Sequence, residues 1–438
     1  MTVGSQLSFK GAIMKKPLPV CLFLLLLLLA AAMTVPAGCT AKADTITDKS
    51  FLKAVGKDLR DDHGKGKAVR LRGTNAGGYL LQELWMTPTR GTTRVKDEMT
   101  IQSRLENRFG KEKARELEAA YRDSYWTETD FDNVRALGAN CIRLPFWYRN
   151  LVEEDGTLRE DAFARIDWFV SEAGKRGIYV ILDMHGAPGS QNGSDHSGVD
   201  GGRDKKGASG FFFGENAERN RERFLELWKT IAAHYKGNPT VAGYDLLNEP
   251  FCTYRYNSGL GDGELRSLLW GVYDAAYRTI READPDHVII MEAVWDPADL
   301  PDPARYGWEN VMYEYHNYLY DDYDNAQGRQ ISNMEKKLDL IAGADYPVPS
   351  LMGEFNYFRN YDAWDKGLEL LNKAGIHWTT WTYKTMADCG SWGIYHHAVR
   401  TGKIDLEHAS FESIKESWDA MDDVTANADL IRVLKKHM

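Results

Sequence analysis

The sequence predicts an α/β protein built as a single (β/α)8 TIM barrel. Short apolar runs alternate with amphipathic helical stretches, and the alternation counts to eight. Such alternation means a parallel sheet, and eight repeats at this length mean a closed barrel. Polar residues end several of the apolar runs, where barrel strands carry reactive side chains. No linker rich in Pro, Gly or Ser, and no internal repeat, divides the 438 residues.

The N-terminus reads as targeting rather than fold. Lys15 and Lys16 precede an apolar run over 20–33, a positive region followed by an apolar one. The run is shorter than the roughly 20 residues of a spanning helix. Pro36-Ala37-Gly38-Cys39 resembles a bacterial lipoprotein cleavage box, with Pro36 where a Leu-like residue is usual. This implies a signal peptide over 1–38, lipidation at Cys39, a tether over 39–50 and a catalytic domain over 51–438. Ordinary signal cleavage near the Ala-rich stretch is the alternative. Either way the protein is exported, with the membrane reached only through a lipid anchor.

Residues 68–75 alternate and read as the first strand. The loop after it carries Glu83 and Trp85, placed to line a cleft. Residues 96–124 are charged with periodic apolar positions, one long amphipathic helix. Thr127-Glu-Thr-Asp130 has the pattern of a helix N-cap. The second strand, 138–147, holds Arg143 inside an apolar run. A buried charge must be paired, so a carboxylate is expected beside it. A helix over 160–176 leads to a strand over 177–185 that ends in Asp183 and His185. The loop from 186 to about 210 contains Gln191 and Asn192, and loops of that length in compact domains are usually functional.

A helix over 217–235 precedes the run 241–250, which ends in Asn248-Glu249-Pro250. A helix over 263–283 and a strand over 287–292 follow, with Trp295 beyond the strand end. The strand 310–316 ends in His316, with Tyr318 just past it. A helix near 331–342 precedes 346–355, which ends in Gly353-Glu354-Phe355. A helix near 363–374 precedes the strand 376–384 with Trp381. The segment 410–436 reads as a covering helix. Glu249 and Glu354 at two strand ends are the minimum equipment for splitting a glycosidic bond.

Composition narrows the partners. A formal net charge of -10 argues against nucleic acid and anionic membrane surfaces. Aromatics at 12% suit a floor for sugar rings, although large barrels hold many aromatics anyway. No cysteine spacing has the form of a metal site. Cys252 and Cys389 both follow strand ends, which leaves a bridge between them open.

Over roughly 70–395 the chain resembles glycoside hydrolase family 5, the cellulase-like retaining glycosidases. Asn248-Glu249-Pro250 is similar to the family's acid/base motif, and Gly353-Glu354-Phe355 to its nucleophile motif. Arg143, His185, His316, Tyr318 and Trp381 fall where the family has its Arg, two His, Tyr and eighth-strand Trp. Asp183 to Gly193, with Gly77 to Pro88, is most similar to the exo-β-1,3-glucanase branch. Tyr79, Gln82 and the stretch 194–198 depart from that branch.

The resemblance implies double displacement on β-glucan, with Glu354 as nucleophile and Glu249 as acid/base. Arg143 would keep Glu354 ionised, and Tyr318 would donate to it. Asn248 would hold the sugar 2-hydroxyl, His185 and His316 other hydroxyls, and Trp381 the ring face. Glu83, Gln191, Asn192 and Trp295 complete the expected substrate contacts. No metal or organic cofactor is implied, and a monomer is expected. The alternatives are an endo-β-1,4-glucanase or β-mannanase, a glycolipid-cleaving relative, or a surface glycan-binding lipoprotein without catalysis.

Overall fold

The apolar runs become eight parallel strands: β1 (Arg72–Asn75), β2 (Cys141–Trp147), β3 (Tyr179–Gly186), β4 (Val241–Asp245), β5 (Val288–Glu292), β6 (Val311–Asn317), β7 (Ser350–Phe355) and β8 (His377–Thr380). They close in chain order, β8 pairing with β1 and β6 with β7. The computed structural model describes residues 45–201, 209–251, 258–293, 295–320, 327–397 and 402–438. The targeting segment with Cys39, and Cys252 of the possible bridge, lie outside the described residues.

Alternation along each strand explains the interior. Side chains two apart share a face, so inward rails run Cys141–Arg143, Ile181–Asp183–His185, Ile290–Glu292 and Met312–Glu314–His316. The lower part of each rail is apolar, and Cys141, Ile181, Ile290, Met312 and Leu351 form one buried cluster. Leu52 and Leu59 join it from below. Leu59 belongs to a small antiparallel sheet of Lys53–Val55, Asp58–Arg60 and Ala68–Val69. The upper part of each rail is charged. A larger apolar cluster fills the space between strands and helices.

Several boundaries differ from expectation. The first predicted strand is two strands, 68–69 below the barrel and β1 within it. The long helix over 96–124 is two helices, α1 (Glu98–Phe109) and α2 (Lys111–Tyr125). Gly110 breaks it at φ +83, a left-handed conformation that glycine adopts without a Cβ clash. The remaining helices are α3 (Glu128–Ala136), α4 (Ala164–Lys175), α5 (Ala217–Tyr235), α6 (Asp262–Ala283), α7 (Gln327–Ala344), α8 (Tyr361–Lys373), α9 (Phe411–Asp419) and α10 (Ala428–His437). The covering helix over 410–436 is thus α9 and α10 around a short strand, Val424–Ala426. Between β5 and β6 the described chain makes two 3-10 turns, each opened by a proline. Part of the expected tether is docked: Ile46 N–H donates to the Gly174 carbonyl at 3.0 Å.

Candidate active site

The charged rails converge on Arg143, which is fully buried. Its Nε lies 2.8 Å from Asp245 Oδ2 and 3.1 Å from Glu314 Oε1, and its Nη1 3.0 Å from Asp183 Oδ2. Nη1 also donates to Glu354 Oε1 at 2.9 Å and to Asn75 Oδ1 at 3.1 Å. Nη2 donates to Asn248 Oδ1 at 2.9 Å. Burial opposes this charge, but Asp183, Glu314, Asp245 and Glu354 outweigh it and hold the guanidinium protonated. Burial lifts Asp183 to about 8, and lifts Asp245 well above the usual carboxylate range. Burial also acts on Glu314, yet Arg143 and His316 hold it below its ordinary value. One guanidinium thus organises a layer in which some carboxyls are ionised and others carry protons.

Glu354 stands at the top of this layer. Its Oε1 accepts from Arg143, and its Oε2 accepts from Tyr318 Oη at 2.9 Å. Gly353 before it is obligatory, because a Cβ there would overlap the Glu314 carboxylate. Between Met352 and Glu354 the β7–β6 register shifts, the kind of irregularity that re-aims a side chain. Glu249 follows β4 with φ +43, a left-handed conformation uncommon outside glycine. Its Oε1 is 2.9 Å from His316 Nδ1, and its Oε2 is 3.3 Å from His196 Nε2. Glu249, His316 and Glu354 each offer an atom within 4.8 Å of the others. The two carboxylates therefore face one another at short range.

The two strand-end histidines differ. Burial drives His185 well below its ordinary value, so it is neutral. Its Nδ1 lies 2.7 Å from Asp183 Oδ2, and Asn248 Nδ2 lies 3.3 Å from its Nε2. Burial also opposes charge on His316, but Glu292, Glu354 and the bond to Glu249 raise it well above, so it is an imidazolium.

A cleft of about 380 Å³ opens above the two glutamates. Trp381 forms one wall and stacks on His185 with centroids 5.3 Å apart. Glu83 and Trp85 enter from the β1 loop, with Trp85 Nε1 donating to Glu83 Oε2 at 2.7 Å. Burial, reinforced by Asp195, pushes Glu83 well above the usual carboxylate range. Asp195 and His196 contribute from the β3 loop, and Tyr318, Tyr320 and Trp392 complete the lining.

Four expected substrate contacts are placed otherwise. Gln191 is fully buried and its amide is consumed by backbone, donating to the carbonyls of His185 and Asn248 at 2.7 and 2.8 Å. Asn192 is also fully buried, its Nδ2 3.3 Å from the Glu249 carbonyl. These two brace the loop instead of lining the cleft. His316 sits beneath the cleft between the two glutamates. Trp295 is 44% exposed and is not among the residues that line the cleft; its backbone N–H donates to Asp299 Oδ2 in the turn after β5.

A model of the cellulase family, glycosyl hydrolase family 5, matches residues 106–387. The chain belongs to glycosyl hydrolase family 5. It is therefore a glycoside hydrolase, a retaining β-glycosidase acting on an oligosaccharide or polysaccharide. Among curated relatives, a beta-xylosidase of Phanerodontia chrysosporium is 29% identical over 387 residues, 82% of this chain and 75% of that protein. A probable glucan 1,3-beta-glucosidase A of Aspergillus clavatus is 29% identical over 57% of this chain, and the match spans just over half of that protein, 55%. Among solved structures, an endogalactoceramidase aligns with TM-score 0.58 at 20% identity over 84% of both chains. A rutinosidase from Aspergillus niger aligns with TM-score 0.57 at 16% identity, over 86% of this chain and all of that one. At such identities the structural likeness concerns the fold.

In this family 5 enzyme, sequence reasoning missed Asp245, Glu292 and Glu314 as parts of the site, and His196, Asp195, Tyr320 and Trp392 in the lining. The signal for the first three was a carboxylate at the top of an otherwise apolar strand. The β3-loop pair lay in a stretch that departs from the exo-glucanase pattern.

Proposed function

We propose that the protein is an exo-acting β-glucosidase of the exo-β-1,3-glucanase type, with Glu354 as nucleophile and Glu249 as acid/base. The facing of these two carboxylates, with oxygens within 4.8 Å, is the observation that carries the assignment. Retaining enzymes hold the pair at about 5–5.5 Å, and inverting ones at about 6.5–9.5 Å to admit a water. Glu354 attacks the anomeric carbon as the bond to the departing oxygen breaks, and Glu249 delivers its proton to that oxygen. Glu249 then takes a proton from water, which attacks the same carbon and releases Glu354.

The neighbours fit these roles. Arg143 and Tyr318 each occupy one Glu354 oxygen and aim the carboxylate. Asn248, with Oδ1 fixed by Arg143, presents its Nδ2 toward the sugar 2-hydroxyl. Trp381 carries the ring face, and His185 and Glu83 take hydroxyls. The cleft lies near the lower end of the roughly 300–1,000 Å³ typical of small-ligand sites, which supports release of short units over binding of a long chain. The glucan 1,3-beta-glucosidase relatives support a glucosyl unit. The beta-xylosidase relative, matched over most of the chain, favours a second reading with a β-xylosyl unit.

Product analysis tests both, using laminarin, carboxymethyl cellulose, mannan and the aryl β-glucoside and β-xyloside, beside Glu354→Gln. Glucose alone from laminarin, lost in the variant, supports the first reading. Preference for the xyloside supports the second, and mixed oligosaccharides from cellulose or mannan overturn the exo assignment. We propose further that 1–38 is a signal peptide and that Cys39 is lipidated, which makes the enzyme an extracellular or periplasmic lipoprotein with a monomeric barrel. Fractionation of a bacterial host tests the anchor: Cys39→Ser should move the enzyme from membrane to soluble fraction.

A further inference from the structure

Glu292, the last residue of β5, is fully buried and does not line the cleft. Its Oε2 nevertheless accepts the backbone N–H of Glu249 at 2.6 Å. Its Oε1 lies 3.4 Å from His316 Nδ1, the atom that contacts Glu249 Oε1 at 2.9 Å. One carboxyl therefore meets Glu249 twice, at its main chain directly and at its side chain through His316.

We propose that Glu292 is a positioning residue that holds the acid/base carboxyl in register with the glycosidic oxygen. The proposal rests on the assignment of Glu249 as acid/base. Its physical basis is the left-handed backbone of Glu249, at φ +43. β4 ends at Asp245, so the Glu249 N–H has no strand partner. A buried N–H must find one, and an unfavourable conformation persists only where the surroundings over-determine it. Glu292 supplies that partner from a rigid base. Its residue pairs with Glu314 across the β5–β6 ladder, and its carbonyl accepts from Tyr273 Oη at 2.8 Å. Burial, with nearby negative charge, lifts the Glu292 carboxyl well above the usual range although His316 opposes it. A glutamine there keeps both the acceptor and the shape.

The test compares Glu292→Ala, Glu292→Gln and Glu249→Ala on two β-glycosides of the sugar that the wild-type enzyme cleaves. A 2,4-dinitrophenyl leaving group departs without a proton, and an alkyl leaving group needs one. For Glu292→Ala, kcat/KM should fall on the order of 100-fold on the alkyl glycoside, the scale of an ångström-sized misplacement, and far less on the dinitrophenyl glycoside. Glu292→Gln should recover most of that loss. Three results would overturn the proposal: equal losses on both substrates in Glu292→Ala, no loss on either, or a glutamine variant as impaired as the alanine one. Glu249→Ala reports separately, since the absence of leaving-group dependence there would remove the acid/base assignment itself.

Discussion

Replacing Arg143 by methionine keeps the length of the stem and removes the one guanidinium that touches Asp183, Asp245, Glu314 and Glu354. Removing one partner of a buried ion pair destabilises by about 3–5 kcal/mol. That is a large share of the roughly 5–15 kcal/mol that separates folded from unfolded chains. The deficit must depend on pH. Arg143 holds Glu314 below its ordinary value, so ionised Glu314 contributes stability above the unfolded value of about 4.3. This contribution disappears as pH falls through the folded value, and the variant lacks it throughout. Asp183, raised by burial to about 8, works in the other sense. Its contribution is complete below its unfolded value of about 3.9 and is lost as pH rises through about 8. Without Arg143 it titrates higher still, which deepens the deficit of the variant in alkali. Urea unfolding followed by tryptophan fluorescence at about pH 4.5 and about pH 8 reads both terms. The expected deficit is about 3–5 kcal/mol at the higher pH and visibly smaller at the lower one. A deficit that does not change with pH, or one below about 1 kcal/mol at neutrality, would refute the reasoning.

Other expectations concern single residues. Glu98, buried in α1, is pushed up to about 7 by burial, so it weakens the fold increasingly as pH rises from about 4.3 to about 7. Glu98→Gln should raise the thermal midpoint at about pH 8, by an amount equivalent to about 3 kcal/mol, and leave it unchanged near pH 4. Glu83, held protonated by burial, meets a sugar hydroxyl as a neutral group, so Glu83→Ala should lower kcat/KM by about 2- to 10-fold, the value of a neutral hydrogen bond of about 0.5–1.5 kcal/mol. Glu249, His316 and Glu354 have the composition of a metal ligand set, but Arg143 and Tyr318 already occupy Glu354. EDTA should leave the rate unchanged, and added Zn2+ should inhibit in competition with substrate.

The two glutamates and Arg143 were legible because each breaks an apolar strand at a place where only chemistry or pairing explains a charge. Asp245, Glu292 and Glu314 were not, although they obey the same rule. Asp245 and Glu314 take their meaning from Arg143 reaching across β2, β4 and β6, and Glu292 from Glu249 and His316; strand pattern alone carries no cross-barrel contact. Trp295 shows the opposite failure. A tryptophan past a strand end looks like a sugar platform, yet the Trp295 side chain is 44% exposed and does not line the cleft. Gln191 and Asn192 have polar amides suited to sugar, but those amides tie the loop to the backbone carbonyls of His185, Asn248 and Glu249. The helix break at Gly110 was hidden because the apolar period continues through it.

The central claim is that Glu354 bonds covalently to the sugar while Glu249 handles the proton. Labelling the enzyme with a 2-deoxy-2-fluoro glycoside bearing a dinitrophenyl leaving group, followed by peptide mass spectrometry, tests it most directly. The account predicts one fluorosugar per chain, carried on the peptide that contains Glu354 and absent in Glu354→Gln. A label on Glu249, or turnover with no covalent species in an enzyme active on the parent glycoside, would contradict it.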